Sequence, residues 1–217
     1  MRLQLAIDTL ELAEAERLVS SLRGLVDLVE LGTPVIIRDG VAAVRRLRAA
    51  FPGLPLVADL KIADGGYLEA SLGLEAGAVM VTVLATAADA TIREVVRAAA
   101  ERGGEVMADL MGVGDLVRRA AEIDRMGVRY VCLHTPTDIQ GGDLDAERRA
   151  VEGLRGVRDL LRSASTAVAG GITVANARAV GALRPDLVVV GSGITRASDP
   201  RAAAAAIRAA LGEGKPS

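Results

Sequence analysis

Hydrophobic positions follow two patterns that alternate along the whole chain. Short apolar runs rich in β-branched residues predict buried strands, and longer segments with apolar residues at helical spacing predict amphipathic helices. The predicted strands are 3–7, 27–31, 56–61, 78–83, 105–110, 130–134, 166–169 and 187–190. The predicted helices are 11–22, 41–50, 67–76, 88–101, 116–126, 147–162, 174–183 and 201–211.

This strict alternation, with Gly or Pro in most connections, predicts an α/β protein with a (β/α)8 TIM barrel. One domain is expected over residues 1–212, followed by a C-terminal tail over 213–217. An open doubly wound sheet is the alternative architecture. It is less favoured because no convincing G-x-G-x-x-G follows the first strand.

Charged and polar side chains gather where the predicted strands end. Active sites of barrels lie at the C-terminal ends of the strands, so these side chains are expected to share a pocket. Alternate strand residues face the same side, which predicts that Asp59 and Lys61 stand together. The residues at the strand ends are Asp8, Glu30, Asp59, Lys61, Asp109 and His134.

Composition excludes several classes of partner. The chain of 217 residues carries 28 acidic and 26 basic residues, with two Tyr, one Phe and no Trp, so it lacks the basic bias and stacking surfaces of a nucleic-acid-binding protein. No apolar run is long enough to cross a bilayer, and the single Cys132 cannot form an internal disulfide. We therefore expect a cytoplasmic protein with no nucleic acid and no membrane as partner.

Two of the strand-end carboxylates predict a metal site. Glu30 and Asp59 end sequential strands, which lie side by side at ~4.8 Å in such a barrel, and carboxylates that close repel unless they share a cation or a proton. Mg²⁺ suits one or two carboxylates completed by water and substrate oxygens, whereas the usual His and Cys ligands of zinc are nearly absent. Lys61 has an alternative role as a Schiff-base nucleophile, which the flanking carboxylates disfavour because they stabilise its ammonium form.

His134 is the only histidine of the chain, and its place at a strand end predicts general acid/base work. The last two strands run into glycine-containing loops, whose backbone N–H groups can approach an anion closely at the position where barrels bind phosphate. These loop residues are Gly170, Gly171, Gly191 and Ser192. The pocket is thus predicted to bind a phosphorylated, oxygen-rich small molecule.

The D-x-K-x-x-D pattern of Asp59, Lys61 and Asp64, with the flanking segments 6–8 and 29–34, resembles the orotidine 5′-monophosphate decarboxylase superfamily. Within it, the chain is most similar to the 3-hexulose-6-phosphate synthase branch, with the 3-keto-L-gulonate-6-phosphate decarboxylases as close relatives. The similarity extends from the first strand to residues 199–200. It implies a homodimer of barrels in which Glu30 and Asp59 hold Mg²⁺, Lys61 and Asp8 contact substrate, and Asp64 reaches the partner subunit's site.

The resemblance also assigns the remaining positions. His134 matches the acid/base histidine, and Gly171, Gly191 and Ser192 match the phosphate region, although many relatives carry Arg where this chain has Ser192. The decarboxylases usually show Glu, Arg and Thr where this chain has Asp109, Thr137 and Ala169, which is closer to the synthases. Asp109 and Gly170 are expected among the substrate contacts.

The reaction implied by the resemblance is a lyase reaction of the aldolase type. Formaldehyde condenses with D-ribulose 5-phosphate through a Mg-stabilised enediolate to give D-arabino-hex-3-ulose 6-phosphate, which a separate 6-phospho-3-hexuloisomerase would consume. Two alternatives stay open at this point. One is decarboxylation of 3-keto-L-gulonate 6-phosphate, and the other is a non-catalytic barrel that only binds a sugar phosphate.

Overall fold

The computed structural model describes residues 1–139 and 153–212 and shows a closed barrel of parallel strands in sequential order. Hydrogen bonds between the first and last strands, with Gln4 opposite Val189, close the barrel and rule out the open sheet. The predicted (β/α)8 barrel is confirmed. The strands are β1 Arg2–Ile7, β2 Leu28–Leu31, β3 Leu56–Ile62, β4 Met80–Leu84, β5 Glu105–Asp109, β6 Tyr130–His134, β7 Ser165–Ala169 and β8 Leu187–Val190.

Helices follow the strands and cover the outside of the barrel. They are α1 Leu12–Ser21, α2 Thr33–Asp39, α3 Ala42–Ala50, α4 Gly66–Glu75, α5 Asp89–Glu101, α6 Leu116–Asp124, α7 (described over 153–158), α8 Ala177–Ala182, α9 Ser192–Thr195 and α10 Pro200–Leu211. The first part of the predicted helix 147–162 and the predicted tail 213–217 lie outside the described residues.

Alternation along each strand separates two apolar layers. One face of the strands packs against the helices, and the other fills the barrel with residues such as Leu28, Val57, Met80 and Tyr130. Cys132 lies in this inner layer, and burial raises the pKa of its thiol well above the usual range. The barrel interior is therefore a packed core, and the polar residues that end the strands lie at its C-terminal end, where barrels of this type hold their sites.

The described part of the chain contains two helices that the periodicity did not predict. Both α2 and α9 are shorter than the segments in which a helical repeat becomes visible, and both begin directly after a strand. The pair Thr33-Pro34 is the signal for α2, since proline favours the first turn of a helix. These short helices matter because they line the C-terminal end of the barrel.

Lys61 departs from the regular strand geometry that the alternation predicted. Its φ is +44°, and the pairing of β3 with β4 shifts register between Ala58 and Ile62. A left-handed conformation is unfavourable for a residue with a Cβ and persists only where surrounding contacts impose it. The irregularity lies at the residue that carries the pocket's ammonium group.

No helix in the described part of the chain is both long and apolar enough to span a membrane.

Candidate active site

The site lies at the C-terminal end of the barrel, where β1, β2 and β3 bring their last polar residues together. Ala6 pairs in register with Glu30, and Glu30 pairs with Val57, which is two residues before Asp59 on the same strand face. Asp8 follows β1 directly. The strand register therefore places three carboxylates at one edge of the pocket, as the sequence predicted.

Asp59 is the most heavily bonded carboxylate of this group. Its Oδ2 forms an ion pair with Nζ of Lys61 and accepts a hydrogen bond from the Thr33 hydroxyl at 2.7 Å. Its Oδ1 accepts a hydrogen bond from the Thr82 hydroxyl at 2.7 Å. The same Thr82 hydroxyl oxygen accepts a hydrogen bond from the backbone N–H of Lys61 at 2.9 Å, so one side chain contacts both members of the ion pair.

The charge states of this pair follow from these contacts. Burial disfavours the ionised carboxylate, but the charge of Lys61 and the hydrogen bonds from Lys61, Thr82 and Thr33 outweigh it and lower the pKa of Asp59. Burial likewise disfavours the ammonium, but the charge and hydrogen bond of Asp59 prevail and raise the pKa of Lys61. Lys61 is thus a cation at neutral pH, which is unfavourable for a Schiff-base nucleophile.

The carboxylate of Glu30 is also buried, and fewer contacts than those of Asp59 offset its burial. It is 8% exposed, and the Nε2 amide of Gln4 donates a hydrogen bond to its Oε2. Burial first, and the nearby charge of Asp59 second, raise the pKa of Glu30 well above its usual range. The positive charge near Glu30 is therefore too small to offset the burial of its ionised carboxylate.

The donor set fits Mg²⁺. Glu30 and Asp59 offer oxygen ligands only, and Mg²⁺ binds one or two carboxylates while keeping water or substrate oxygens as its other ligands. The side-chain Oε1 of Gln4 is buried without a hydrogen-bond partner beside Glu30, which adds a neutral oxygen with unused capacity. Within residues 1–139 and 153–212, no cluster of three or more His, Cys, Asp or Glu offers a closed site of the zinc type.

Asp109 and His134 form a second unit on the far wall of the pocket. Asp109, 4% exposed, contacts Nδ1 of His134 through its Oδ2 at 2.7 Å and accepts the backbone N–H of Met111 at 2.9 Å through its Oδ1. With Nδ1 held by this carboxylate, Nε2 is the nitrogen left to exchange a proton. Asp109 therefore orients His134, while its predicted direct contact with substrate stays a prediction.

Asp8 connects the two units. The Asp8 side chain reaches solvent, but the pocket walls limit its hydration. This desolvation, together with the charge of Asp59, raises the pKa of Asp8, and the charges of Lys61 and His134 act in the opposite direction. A Cβ on Gly32 would lie 2.0 Å from Oδ1 of Asp8, so only glycine leaves room for this carboxylate. Asp8 thus lies within the electrostatic field of both the lysine and the histidine.

The predicted phosphate loops meet at the neighbouring part of the rim. Gly170 and Gly171 have φ of +92° and +69°, and a Cβ on Gly191 would lie 3.3 Å from Oδ2 of Asp8. Ser192 is exposed at the start of α9. The structure thus brings these four residues to the side of the pocket next to β1.

Asp64 is the one predicted catalytic residue that the single chain does not bring into the pocket. It is exposed, and it makes no hydrogen bond or ion pair with any described residue. It stands two residues before α4, on a turn in which Gly65 has φ of +60°. Its predicted role in a partner's site stays a prediction.

Sequence reasoning missed the neutral residues of the site. Thr33, Thr82 and Gln4 bind the carboxylates, but Thr and Gln within strand-like runs give no distinct signal. A threonine between apolar residues reads as an ordinary β-former. Only Thr33, which opens α2 before a proline, stood in a recognisable context.

We predict that Thr82→Val weakens both the site and the fold. The change leaves Oδ1 of buried Asp59 and the N–H of Lys61 without their shared partner, which is expected to cost about 1–3 kcal/mol of unfolding free energy. Thr82→Ser, which restores the hydroxyl, should recover most of the loss. Urea unfolding of both variants beside the wild type measures the effect, and equal midpoints for Val and Ser would contradict the assigned role.

Comparison with known proteins finds similarity to one family over nearly the whole chain. Residues 1–207 match the family model described as Orotidine 5′-phosphate decarboxylase / HUMPS family. The chain is 41% identical over 215 residues to a 3-hexulose-6-phosphate synthase of Bacillus subtilis, covering 99% of this chain and 100% of that protein. The crystal structure of 3-hexulose-6-phosphate synthase from Salmonella typhimurium is similar with a TM-score of 0.90 and 39% identity, covering 97% of this chain and 98% of that one. A 3-keto-L-gulonate-6-phosphate decarboxylase structure from Vibrio cholerae matches with a TM-score of 0.81 and 27% identity, covering 97% and 96%.

Proposed function

The chain belongs to the orotidine 5′-phosphate decarboxylase / HUMPS family, and we propose that it is a lyase that condenses formaldehyde with D-ribulose 5-phosphate. The product is D-arabino-hex-3-ulose 6-phosphate. The observation that carries this proposal is full-length similarity at 41% identity to a 3-hexulose-6-phosphate synthase, against 27% for the decarboxylase structure. The site geometry gives the residues a chemistry that suits the reaction.

His134 takes the proton in this scheme. Its Nδ1 is held by Asp109, so Nε2 removes a proton from C1 of ribulose 5-phosphate and the electron pair moves into an enediolate. C1 of the enediolate then attacks the formaldehyde carbon, a new C–C bond forms, and the formaldehyde oxygen takes up a proton to become a hydroxyl. Asp109 stabilises the imidazolium that exists between these two events.

Lys61 supplies fixed positive charge where the enediolate develops negative charge. Its ammonium is held by Asp59 and by the Thr33 hydroxyl at 3.2 Å, so it needs little reorientation during the reaction. Glu30 and Asp59 would hold Mg²⁺, which supplies a Lewis acid for the substrate oxygens when bound. The glycine loops after β7 and β8 present backbone N–H groups to the phosphate of the substrate.

Decarboxylation of 3-keto-L-gulonate 6-phosphate is the second candidate, because the fold similarity to such a decarboxylase covers nearly the whole chain. Loss of CO₂ from that substrate leaves the same kind of enediolate, which the histidine side of the pocket would protonate. The carboxylates, lysine and phosphate loops would serve both reactions. Only the response to the two substrates separates them.

A paired assay tests the proposal. Purified protein with Mg²⁺ receives ribulose 5-phosphate plus formaldehyde in one tube and 3-keto-L-gulonate 6-phosphate in the other. We expect the first reaction to be faster. Turnover more than tenfold faster in the second tube would assign the decarboxylase activity, and binding without turnover in either tube would leave a sugar-phosphate-binding barrel.

A homodimer with shared sites is part of the proposal. Asp64 is exposed just before α4, and the same helix carries Leu68 and Leu72 at 67% and 44% exposure, one turn apart on one face. Ile37 on α2 is 80% exposed at the same end of the barrel. A second copy covering these apolar side chains would bring Asp64 towards its neighbour's pocket. Location in the cytoplasm and a separate isomerase acting on the product complete the proposal.

We predict that activity requires a divalent cation. Chelation should abolish turnover and added Mg²⁺ should restore it, because Glu30 and Asp59 have only one ammonium between them. Titration calorimetry with Mg²⁺ should show binding to the wild type and a clear loss of affinity in Glu30→Gln. Full activity after exhaustive chelation, with no metal found by elemental analysis, would contradict this part of the account.

A further inference from the structure

The rim beside Asp8 is built from three loops packed directly against one another. A Cβ on Gly193 would lie 2.2 Å from the backbone oxygen of Ile172, so the loop after β8 touches the loop after β7. Gly191 touches Asp8 after β1 in the same way. Within the described chain, the backbone N–H groups of Gly170 and Gly171 donate no hydrogen bond. An anion at this rim would meet N–H groups that bond to no described residue, but residues 8–11, 170–176 and 191–195 include no Lys or Arg.

Arg196 is a cationic residue that lies close to this rim, at the end of α9. It caps α9, and its backbone N–H bonds to the Ser192 oxygen at 3.1 Å, so it lies one helical turn beyond Ser192 on the same face. Arg196 therefore follows β8 and α9 on the side of the rim next to β1, and its guanidinium lies near enough to Asp8 for its charge to favour the ionised form of that carboxyl.

The other basic side chains near Asp8, Lys61 and His134, already have partners. Lys61 is held by Asp59 and Thr33, and His134 is held by Asp109. The guanidinium of Arg196 is exposed and makes no hydrogen bond or ion pair with any described residue. An arginine without a partner is the ordinary state of a solvated surface side chain, so its position at the rim is what distinguishes it.

We propose that Arg196 binds the phosphate group of the substrate and selects phosphorylated over unphosphorylated sugars. Arginine forms paired, charge-assisted hydrogen bonds with phosphate oxygens, while the glycine N–H groups contact the same group from the neighbouring loop. This inference rests on the proposed function in assigning a sugar phosphate to the pocket. It adds the cationic residue that the glycine loops lack.

The test compares Arg196→Gln and Arg196→Lys with Arg125→Gln. Arg125 is an exposed arginine between the end of α6 and the start of β6, at the end of the barrel opposite the site, with no described partner, so its replacement removes the same charge away from the site. Calorimetry measures binding of inorganic phosphate and of ribulose 5-phosphate, and steady-state assays measure KM and kcat. Circular dichroism confirms that each variant is folded.

Arg196→Gln should weaken phosphate binding and raise KM for the sugar phosphate by roughly 10- to 100-fold, with a much smaller change in kcat, because the contact exists before and during the reaction. Arg196→Lys should fall between the Gln variant and wild type, and Arg125→Gln should match wild type. Phosphate affinity of Arg196→Gln within twofold of wild type, or no phosphate binding by the wild type, would overturn the inference. Phosphate binding that depends on Arg196 in a protein that turns over neither substrate would instead contradict only the proposed function.

Discussion

His134→Asn should lower the rate of condensation by roughly 10²–10⁴, the usual contribution of a positioned acid/base group, while the protein stays folded. His134 is the only histidine of the chain, and Asp109 holds its Nδ1 at 2.7 Å, so Nε2 is the nitrogen directed at the substrate. Asparagine is smaller and polar but cannot accept a proton at neutral pH. Steady-state kinetics at saturating ribulose 5-phosphate and formaldehyde measure the effect.

Two further variants separate proton transfer from local packing. Asp109→Asn should lower kcat with little change in KM, because it removes the charge that orients the histidine without removing the base. Cys132→Ala alters the inner layer of the same strand and should leave the rate near wild type. A loss in Cys132→Ala as large as that in His134→Asn would show that packing damage explains the result.

Mixing two inactive variants should restore activity. If each site takes Asp64 from its neighbour, Asp64→Asn and Asp59→Asn homodimers should both be nearly inactive. In the heterodimer, one site then carries both substitutions and the other carries neither. After reversible dissociation and mixing, each heterodimer should regain about half of the wild-type activity, since one of its two sites is intact.

A matched mixture controls for non-specific recovery. Asp59 and Lys61 form an ion pair within one chain, so Asp59→Asn mixed with Lys61→Ala leaves every site damaged and should recover nothing. Mass measurement confirms subunit exchange, and circular dichroism confirms folding. No recovery in the Asp64 mixture despite proven exchange would place Asp64 in its own chain's pocket, and a fully active monomer would remove the shared site.

Much of the fold could be predicted from the sequence because the strands are short, apolar and bounded by glycine or proline. The predicted strand ends at Asp109 and His134 agree closely with β5 and β6, and the count and order of the elements predicted the closed barrel that the pairing of β1 with β8 shows. The short helices α2 and α9 were not predicted, since fewer than two or three turns leave no clear period.

The candidate site was predictable in its charges and not in its neutral supports. Carboxylates and a lysine at strand ends stand out because burial of charge is costly without a partner or ligand. Thr82 and Gln4 do not stand out, and their hydrogen bonds to Asp59 and Glu30 depend on strand register. The left-handed backbone of Lys61 lies within a register shift between β3 and β4, and simple alternation foresees neither.

Exchange of the C1 hydrogen of ribulose 5-phosphate with solvent tests the central claim most directly, because it reports enediolate formation without formaldehyde. Proton NMR in D₂O with Mg²⁺ should show the wild type replacing a C1 proton with deuterium, and His134→Asn should slow this exchange in parallel with its loss of turnover. The absence of exchange in the wild type would contradict the enediolate. Exchange at the wild-type rate in His134→Asn would contradict the assignment of the base and make Asp64 the next candidate.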